Sequence, residues 1–228
     1  MRPIIIAIDG YAATGKSTTA RAVAELLGYI HVDSGAMYRA AAWYLWKRGI
    51  RQIEPNLSPE IMRGFDLEVE RNGSEMLIRL AGKTLSDELR SPEIGTFASE
   101  ISAIPWIRKF LIAEQRRMGE KGGLVMDGRD IGTVVFPHAE LKVFMQANLA
   151  ERVERRYQEL LLRGISTTRE AVMADLQMRD YRDETRPISP LIKAPDARVL
   201  DTTGLTIPEQ VAIVMRWAEA LIYAASPS

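Results

Sequence analysis

Three features are missing from this sequence of 228 residues: cysteine, a net charge and a long hydrophobic run. The absence of cysteine excludes disulfides, thiolate metal sites and cysteine nucleophiles. Because 30 Lys and Arg balance 30 Asp and Glu, we do not expect a nucleic acid as the main partner. No run is long enough to span a bilayer, and the opening apolar segment lacks the pattern of a secretory signal. We therefore expect a cytoplasmic protein with no membrane partner.

The composition is otherwise that of an ordinary globular protein, with 46% hydrophobic and 26% charged residues. The length suffices for one domain with room for an insertion or a lid. Arginine outnumbers lysine 23 to 7. This bias suits a protein that binds phosphates, because a guanidinium group grips phosphate bidentately. Codon usage or surface preference explains it equally well.

The most informative segment is residues 10–17, which we call the phosphate loop. It reads GYAATGKS and fits the pattern G-x-x-x-x-G-K-[ST]. The apolar run at residues 4–9 predicts a buried strand before it, and a helical pattern runs from Lys16 to Leu27 after it. A strand, a loop and a helix in this order are the context that the motif requires. The alternative is a chance glycine-rich turn before a helix.

Each defined position of the phosphate loop has a physical role. Gly10 and Gly15 allow the backbone to turn its N–H groups inward toward phosphate oxygens. The helix that follows adds the positive end of its dipole. Lys16 is then expected to reach the β- and γ-phosphates, and the hydroxyl of Ser17 to bind Mg²⁺. The sequence therefore predicts a nucleoside triphosphate site.

The next segment repeats the order of strand and helix, with a strand at residues 29–33 and a helix to about Lys47. This order predicts a parallel sheet, whose ligand crevice lies outside the carboxyl ends of its strands. Ser34 and Arg39 are thus placed to bind a second phosphate, which would offset the cost of burying Arg39. Alternatively, Ser34 only caps the helix. Asp33 is either a cap or a group that orients water around Mg²⁺.

Residues 60–90 depart from this α/β order. Apolar and polar residues alternate around Leu67 and Ile78, with turn signals at Asn72-Gly73 and Gly82-Lys83. We predict an inserted antiparallel hairpin with a short third strand near residues 84–85. Further helices are predicted at residues 92–102, 105–118, 149–163, 168–182 and 207–224, and further strands at 124–127, 141–145 and 199–201.

Two later segments carry charged residues. DGRD at residues 127–130 follows a short buried strand and places a cation and acceptors at the predicted crevice; a structural salt bridge between Arg129 and Asp130 is the alternative. The helix at 149–163 carries an arginine cluster. Such a cluster is usual on a solvated face paired with acidic neighbours, but arginines also stabilise charge in phosphoryl transfer. The arginines are Arg152, Arg155 and Arg156, and the acidic neighbours Glu151, Glu154 and Glu159.

Together these segments resemble the bacterial type of cytidylate kinase, a branch of the nucleoside monophosphate kinases, over nearly the whole chain. The resemblance is carried by the phosphate loop, DSGAMYR at residues 33–39, the inserted hairpin, Ser99 with Arg108, DGRDIGTVVFP at 127–137 and the segment 179–186. In the family the loop usually carries a further glycine and often a proline, whereas this chain has YAAT at 11–14, with Ala13 in place of that glycine.

The resemblance implies an α/β fold of the P-loop NTPase class: an adenylate-kinase-like parallel five-stranded sheet flanked by helices, with a small antiparallel β insertion in the monophosphate-binding region and a short lid. It divides a single kinase domain, residues 1–228, into three parts. The core takes in about 1–34, 120–150 and 190–228, the monophosphate-binding region about 35–119, and the lid about 151–189.

The resemblance also implies roles for matching residues. ATP would be bound by Gly10, Tyr11, Ala12, Ala13, Thr14, Gly15, Lys16, Ser17 and Thr18. Mg²⁺ would be bound by Ser17, with Asp33 or Asp127 acting through water. CMP would be bound by Ser34, Tyr38, Arg39, Ser99, Arg108, Arg129, Asp130, Arg179, Asp183 and Arg186. In this set Arg39, Arg129 and Arg186 clamp the phosphate, Ser99, Arg108 and Asp130 read cytosine, and Arg179 and Asp183 hold the sugar. The catalytic set is Lys16, Arg129, Arg152, Arg155 and Arg156.

The implied reaction is transfer of the γ-phosphoryl group of ATP to CMP or dCMP by a monomeric enzyme of pyrimidine metabolism. A uridylate, thymidylate or shikimate kinase would keep the loop and the arginines and change the base-reading set. A nucleotide-dependent switch is the alternative from another class. Against a switch, the chain contains no Asn-Lys-x-Asp guanine-reading motif, and Arg39, Arg129 and Arg186 would have no role.

Overall fold

Two β-sheets and seven α-helices make up the part of the chain that the computed structural model describes, residues 3–53, 57–72 and 75–224. The strands are β1 (Ile5–Gly10), β2 (Ile30–Asp33), β3 (Leu67–Asn72), β4 (Glu75–Leu80), β5 (Lys83–Leu85), β6 (Leu124–Gly128), β7 (Leu141–Gln146) and β8 (Arg198–Asp201). The helices are α1 (Lys16–Leu27), α2 (Ser34–Lys47), α3 (Pro92–Ile101), α4 (Pro105–Gly119), α5 (Leu149–Leu162), α6 (Arg169–Thr185) and α7 (Ile207–Ala224). The predicted elements are confirmed, with ends shifted by three residues or fewer.

The larger sheet is parallel, with the strand order β2-β6-β1-β7-β8. Its register pairs Asp33 with Asp127 and Asp9 with Gly128. Because these residues end their strands, the register brings three carboxylates to one edge of the sheet. That edge is the ligand crevice expected of an open parallel sheet.

Helices cover both faces of this sheet, as a parallel sheet requires. Side chains alternate along β1, so Ile6 and Ile8 pack against α1 and α7, while Ala7 joins the cluster formed with α2, α3 and α4. All three side chains are fully buried. Burying a large aliphatic side chain contributes roughly 1.5–3 kcal/mol, so the two clusters together hold the strand ends in place.

The smaller sheet is the predicted antiparallel insertion, in the order β3-β4-β5. Its register pairs Val69 with Ile78 and Ile78 with Leu85. Ile78, Leu80 and Leu85 are buried in the same cluster as α2 and α3. The insertion therefore packs against α2 and α3. Gly73 of the predicted turn lies outside the described residues.

Helices α5 and α6 pack against each other through a third apolar cluster, in which Val153 and Leu160 meet Val172 and Leu176. Ala12 of the phosphate loop belongs to the same cluster. Helix α6 extends three residues beyond its predicted end, to Thr185. The helix ends there because Pro187 disfavours helical geometry at the residue before it.

Two short elements were not predicted, and one of them is a 3-10 helix at Asp87–Arg90. Residues Ile131–Val135 form a π-helical turn after β6, in which Phe136 N donates to the carbonyl oxygen of Ile131 at 2.7 Å. This turn follows directly after the DGRD segment. None of the helices within the described ranges combines the length and the hydropathy needed to cross a membrane.

Gly10 should tolerate no side chain. Its φ is +144°, and an added Cβ would overlap the backbone carbonyl oxygen of Met145 in β7. We expect Gly10→Ala to separate β1 from β7 and to cost about 3 kcal/mol or more, from overpacking together with an unfavourable φ. For a chain of this size the thermal midpoint should fall by about 10 °C, measured by circular dichroism.

The matched control is Gly95→Ala in α3, where an added Cβ meets nothing within 4 Å. Alanine is favoured over glycine within a helix by about 1 kcal/mol, so this variant should unfold at the wild-type temperature or slightly above it. Equal midpoints for Gly10→Ala and the wild type would contradict the close packing of β1 and β7.

Candidate active site

The phosphate loop connects β1 to α1 and leaves the amino end of α1 open. Gly15, with φ +94°, is the N-cap of α1, and no side chain caps this end. The first N–H groups of the helix are therefore available to an anion. Ala13 has φ +60°, so it adopts a left-handed conformation at the position where the resembling family carries glycine. This conformation costs alanine roughly 1–2 kcal/mol, and the loop keeps its turn despite the substitution.

Two arginines of α5 donate hydrogen bonds to the backbone of the phosphate loop. Arg152 donates to the carbonyl oxygen of Ala12 at 3.3 Å, and Arg155 donates to that of Thr14 at 3.3 Å. Thr202, after β8, donates to the same Thr14 oxygen at 3.0 Å. These contacts hold the carbonyl groups on the outer side of the loop.

Lys16 is buried, 6% exposed, and its ammonium group contacts the carbonyl oxygen of Tyr11 and lies 3.5 Å from Thr14 Oγ1. Burial, and next the positive charge of Arg129, lower the pKa of Lys16 to about 7. A buried cation of this kind is stabilised when an anion arrives. Lys16 is thus placed to respond to a phosphate group.

Several hydroxyl and carboxylate oxygen atoms that could bind a cation lie beside the phosphate loop. Ser17 Oγ donates to Asp127 Oδ2 at 2.6 Å, and Ser34 Oγ donates to the Asp127 carbonyl oxygen at 2.8 Å. Asp33 caps α2 by accepting from Ala36 N at 3.0 Å. The suggestion that Ser34 is the cap is therefore wrong; Ser34 is the first residue of α2 and is held by Asp127 instead.

This oxygen set fits a small hard cation that is held partly by phosphates. Mg²⁺ is usually bound through one or two protein groups together with substrate phosphates and water. Among the described residues, no group of three or more His, Asp or Glu is arranged to hold a metal ion without such help. The donors present are thus enough for a metal that arrives with a nucleotide.

One cavity of about 510 Å³ opens in front of the phosphate loop. From the predicted triphosphate site it is lined by Ala12, Ala13, Lys16, Ser17 and Thr18. All ten residues predicted for the monophosphate site line the same cavity, namely Ser34, Tyr38, Arg39, Ser99, Arg108, Arg129, Asp130, Arg179, Asp183 and Arg186. We call these ten residues the acceptor pocket. Asp33, Asp127 and Arg156 lie on the same cavity wall.

The arginines of the acceptor pocket are paired with carboxylates. Arg39 lies 2.8 Å from Asp33, and Arg129 lies 2.7 Å from Asp183. The expectation that Arg39 needs a phosphate to offset its burial is therefore wrong, since Asp33 balances its charge. The alternative pairing of Arg129 with Asp130 is wrong as well, because Arg129 Nε donates to Asp183.

Asp130 is instead held between two other arginines. Arg108 Nη2 donates to its Oδ2, and Arg186 Nη2 lies 3.7 Å from its Oδ1. Both Arg108 and Asp130 are almost fully buried. A buried carboxylate between two guanidinium groups keeps a fixed orientation, which a group that reads a ligand requires.

The pocket keeps its charges despite burial. Burial opposes the ionisation of Asp183, but Arg129 and then Arg186 outweigh it and hold the pKa of Asp183 below its usual value. Burial likewise opposes the charge of Arg129, and Asp183 reverses this effect and raises the pKa of Arg129. The arginines and carboxylates therefore form ion pairs that a substrate phosphate can rearrange.

Two hydroxyl groups in the acceptor pocket have no hydrogen-bond partner among the described residues. They are Tyr38 Oη and Ser99 Oγ, and both atoms are buried. Burial raises the pKa of Tyr38 to about 12, so this hydroxyl keeps its proton. An unsatisfied buried polar atom costs about 1–3 kcal/mol. A ligand with matching polar edges would recover this free energy.

The arginine cluster of α5 is divided between two places. Arg156 lines the cavity and pairs with Glu159 at 2.8 Å, whereas Arg152 and Arg155 hold the loop backbone. Pairing on a solvated face describes Arg155 and Arg156, which bond to Glu151 and Glu159. It does not describe Arg152, which is buried against Asp180 at 2.7 Å.

Asp9 and Ser102 are among the residues near the site that the sequence analysis missed. Asp9, at the end of β1, accepts from Ile131 N and Gly132 N at 2.7 Å each and so holds the turn after Asp130. Burial outweighs these two bonds and raises the pKa of Asp9 to about 6. Its position at the end of a buried strand was an available signal.

Ser102 was missed as well. Its carbonyl oxygen accepts from Arg108 Nη1 at 3.0 Å, and its hydroxyl lies 3.4 Å from Arg186 Nη1. In the sequence it is simply a polar residue at a helix end, so nothing distinguished it.

These features define a class of protein. A glycine-bounded loop at the carboxyl edge of a parallel sheet, with a buried lysine and an arginine-lined pocket across one cavity, is the site of a P-loop phosphotransferase.

Comparison with known proteins gives the family. The model of the cytidylate kinase family matches residues 6–220, and the chain belongs to this family of ATP-dependent nucleoside monophosphate kinases. It is 44% identical to a cytidylate kinase of Geobacter sp. strain M21, over 93% of this chain and 91% of that protein. It is 42% identical to one of Streptococcus equi subsp. zooepidemicus, over 97% and 99%.

A solved structure shows the same fold at low sequence similarity. It is an uncharacterized protein from Eubacterium ventriosum, with a TM-score of 0.53 and 11% identity over 96% of this chain and 99% of that chain. The predicted α/β fold is confirmed by these comparisons and by the sheet topology.

The lowered pKa of Lys16 predicts that nucleotide binding takes up a proton. At pH 8 the free protein should hold most of Lys16 neutral, because its pKa is about 7. The negative charge of a triphosphate raises this pKa, so binding of ATP at pH 8 should be coupled to uptake of up to one proton. Isothermal titration calorimetry in two buffers of different ionisation enthalpy measures this number directly.

The expected proton uptake depends on pH. Because the folded-state pKa of Lys16 lies below the ordinary value of 10.5, at about 7, Lys16 is already charged in the free protein below pH 7. The uptake should therefore shrink as the pH falls through 7. Lys16→Ala is the control and should lose the uptake. The same proton number for the wild type and Lys16→Ala would contradict the role given to this amine.

Proposed function

We propose that the protein transfers the γ-phosphoryl group of ATP to CMP or dCMP, forming ADP and CDP or dCDP. One observation carries this proposal: Lys16 and Ser17 line the same cavity as the acceptor pocket. A donor triphosphate on the loop would therefore face an acceptor phosphate across the same space. Phosphoryl transfer needs this alignment above all.

The acceptor pocket suits a cytosine base. Arg108 holds Asp130 in a fixed orientation, and the carboxylate oxygens of Asp130 would accept a hydrogen bond from the exocyclic amine of cytosine. Uracil has an acceptor oxygen at that position, so its oxygen would meet the carboxylate without a proton between them. An unpaired polar group of this kind disfavours the wrong base strongly. Ser99 and Tyr38 line the same cavity, and their hydroxyl groups have no hydrogen-bond partner among the described residues.

The arginines would bind the acceptor phosphate by changing partners. Arg39, Arg129 and Arg186 line the cavity and are each paired with a carboxylate within 3.7 Å. A phosphate carries more charge than one carboxylate and offers bidentate geometry to a guanidinium group. Asp183, released in part from Arg129, would then be available with Arg179 for the sugar hydroxyls.

No side chain has to act as nucleophile. An oxygen of the acceptor phosphate attacks the γ-phosphorus in line, the bond to the β,γ-bridging oxygen breaks, and ADP leaves with that electron pair. Lys16, Arg129 and Arg156 line the cavity and stabilise charge on the migrating group. Arg152 and Arg155 would contribute by holding the loop carbonyls away from the phosphates.

Ser17 would bind Mg²⁺ directly, and Asp33 or Asp127 would bind it through water, given their positions beside the loop. When bound, the ion would neutralise charge on the phosphates.

Helices α5 and α6 would act as the lid. They hold Arg156, Arg179, Asp183 and the adjoining Arg186, and they meet the core through the cluster around Ala12. Closure would exclude water, which otherwise competes as acceptor. We accordingly assign the core to about 1–34, 120–150 and 190–228, the acceptor region to 35–119 and the lid to 151–189.

An acceptor panel tests the reaction. ADP release, measured with a coupled assay, should be fast with CMP and dCMP, and slower by about 100-fold or more with UMP, because the unpaired carboxylate penalises uracil. AMP and dTMP should likewise be poor acceptors, and ATP alone should be hydrolysed slowly. Faster ADP release with UMP or dTMP than with CMP would assign the pocket to another base.

The same assay, applied to protein variants, tests the roles of individual residues. Lys16→Ala and Arg129→Ala should each lower kcat/KM by about 100-fold or more, as expected when one preorganised charge is removed from a transition state. Arg117→Ala is the matched control, since Arg117 is an exposed arginine of α4 paired only with Glu114 in the described structure. It should leave the rate unchanged. Near-normal rates for Arg129→Ala would remove that residue from the phosphate clamp.

A further inference from the structure

His31 is a buried polar residue next to the candidate site that the proposed reaction does not use. It lies in β2, is 3% exposed, and its Nε2 atom is 2.7 Å from Asp127 Oδ1. Residues two apart in a strand share a face, so His31 lies on the same side of β2 as Asp33, one step further from the crevice. It therefore contacts the carboxylate of Asp127, in the neighbouring strand β6, from the side away from the crevice.

The carboxylate of Asp127 is held by a different donor on each oxygen. His31 contacts Oδ1, and Ser17 Oγ donates to Oδ2 at 2.6 Å. An ionised carboxylate only accepts hydrogen bonds, so the imidazole must donate from Nε2. These two bonds fix the rotation of the carboxylate about its Cβ–Cγ bond, and with it the direction in which the remaining lone pairs point.

Packing alone does not account for an imidazole at this position. The next residue, Val32, fills the apolar cluster on the other face of β2 and is fully buried. A polar ring in a buried place is stable only when its polar atoms are satisfied, and the partner shown for it is the group beside Ser17.

We propose that His31 is a positioning residue that orients Asp127 toward Ser17 and the water shell of the nucleotide-bound divalent cation. The inference rests on the proposed function in one respect, namely that such a cation binds beside Ser17. Groups behind a ligand that fix its orientation typically change metal affinity by about 10–100-fold when they are removed.

Three variants separate positioning from packing. His31→Leu removes the donor and keeps an apolar side chain of similar size. His31→Asn keeps a polar amide that is too short to reach Asp127, and it carries the test if the leucine variant fails to fold. His31→Gln is the matched control, because its amide nitrogen reaches the place of Nε2 and restores the donor.

The readout is Mn²⁺ binding to the protein–ADP complex, measured by the electron paramagnetic resonance signal of free Mn²⁺. CMP binding without metal, measured by calorimetry, reports on the integrity of the acceptor pocket. We expect His31→Leu and His31→Asn to weaken Mn²⁺ binding by about 10-fold or more. His31→Gln should bind Mn²⁺ like the wild type, and all three variants should bind CMP normally.

Several results would overturn the proposal. One is wild-type Mn²⁺ affinity in folded His31→Leu and His31→Asn. A second is equal weakening of Mn²⁺ and CMP binding, which would indicate a purely structural role, and a third is a glutamine variant no better than leucine. If the wild type binds no Mn²⁺ with ADP, there is no cation to position and the inference fails. If it binds Mn²⁺ but phosphorylates no CMP, the proposed reaction fails and the positioning role stands.

Discussion

The parallel pairing of β1 with β6 is the constraint on which the candidate site depends. It sets Asp9 beside Gly128 and, through β2, Asp127 beside Asp33. A shift of one residue would move every side chain of a strand to the opposite face and would turn Asp127 away from Ser17. The apolar clusters on both faces of the sheet hold this register. The chemistry at the sheet edge is therefore a consequence of packing at some distance from it.

A second constraint is charge balance. The acceptor pocket buries more guanidinium groups than a protein interior tolerates unpaired, and each of Arg39, Arg108 and Arg129 has a carboxylate neighbour. These carboxylates stand where parts of a substrate would interact. The same residues thus stabilise the pocket before binding and would contact the substrate during it. Asp130 differs from the others because Arg108 and Arg186 hold it from two sides, which suits a residue that discriminates between bases.

Local patterns in the sequence were sufficient for the secondary-structure elements. The roles given to the site residues stay predictions. The phosphate loop, the alternation in β3 and β4 and the charged end of α6 each depend on neighbours within a few positions, which a sequence displays directly. The partners could not be predicted in this way. Arg129 meets Asp183 across 54 positions, and Ser17 meets Asp127 across 110; such pairings depend on how helices pack on the sheet. For the same reason the pairing of Arg39 with Asp33 was not predicted, and Ser102 was not considered at all.

The unusual phosphate loop shows how far a motif can vary while its geometry is kept. Ala13 takes the left-handed conformation that glycine adopts more easily, so the cost must be met by contacts elsewhere. Arg152, Arg155 and Thr202 bond to the loop carbonyls on either side of Ala13, and Ala12 packs into the cluster between α5 and α6. Tyr11 adds a hydrogen bond to Glu184 near the end of α6 at 2.7 Å. The loop therefore takes its shape from tertiary contacts as well as from glycine, and those contacts join it to the helices that would close over the substrates.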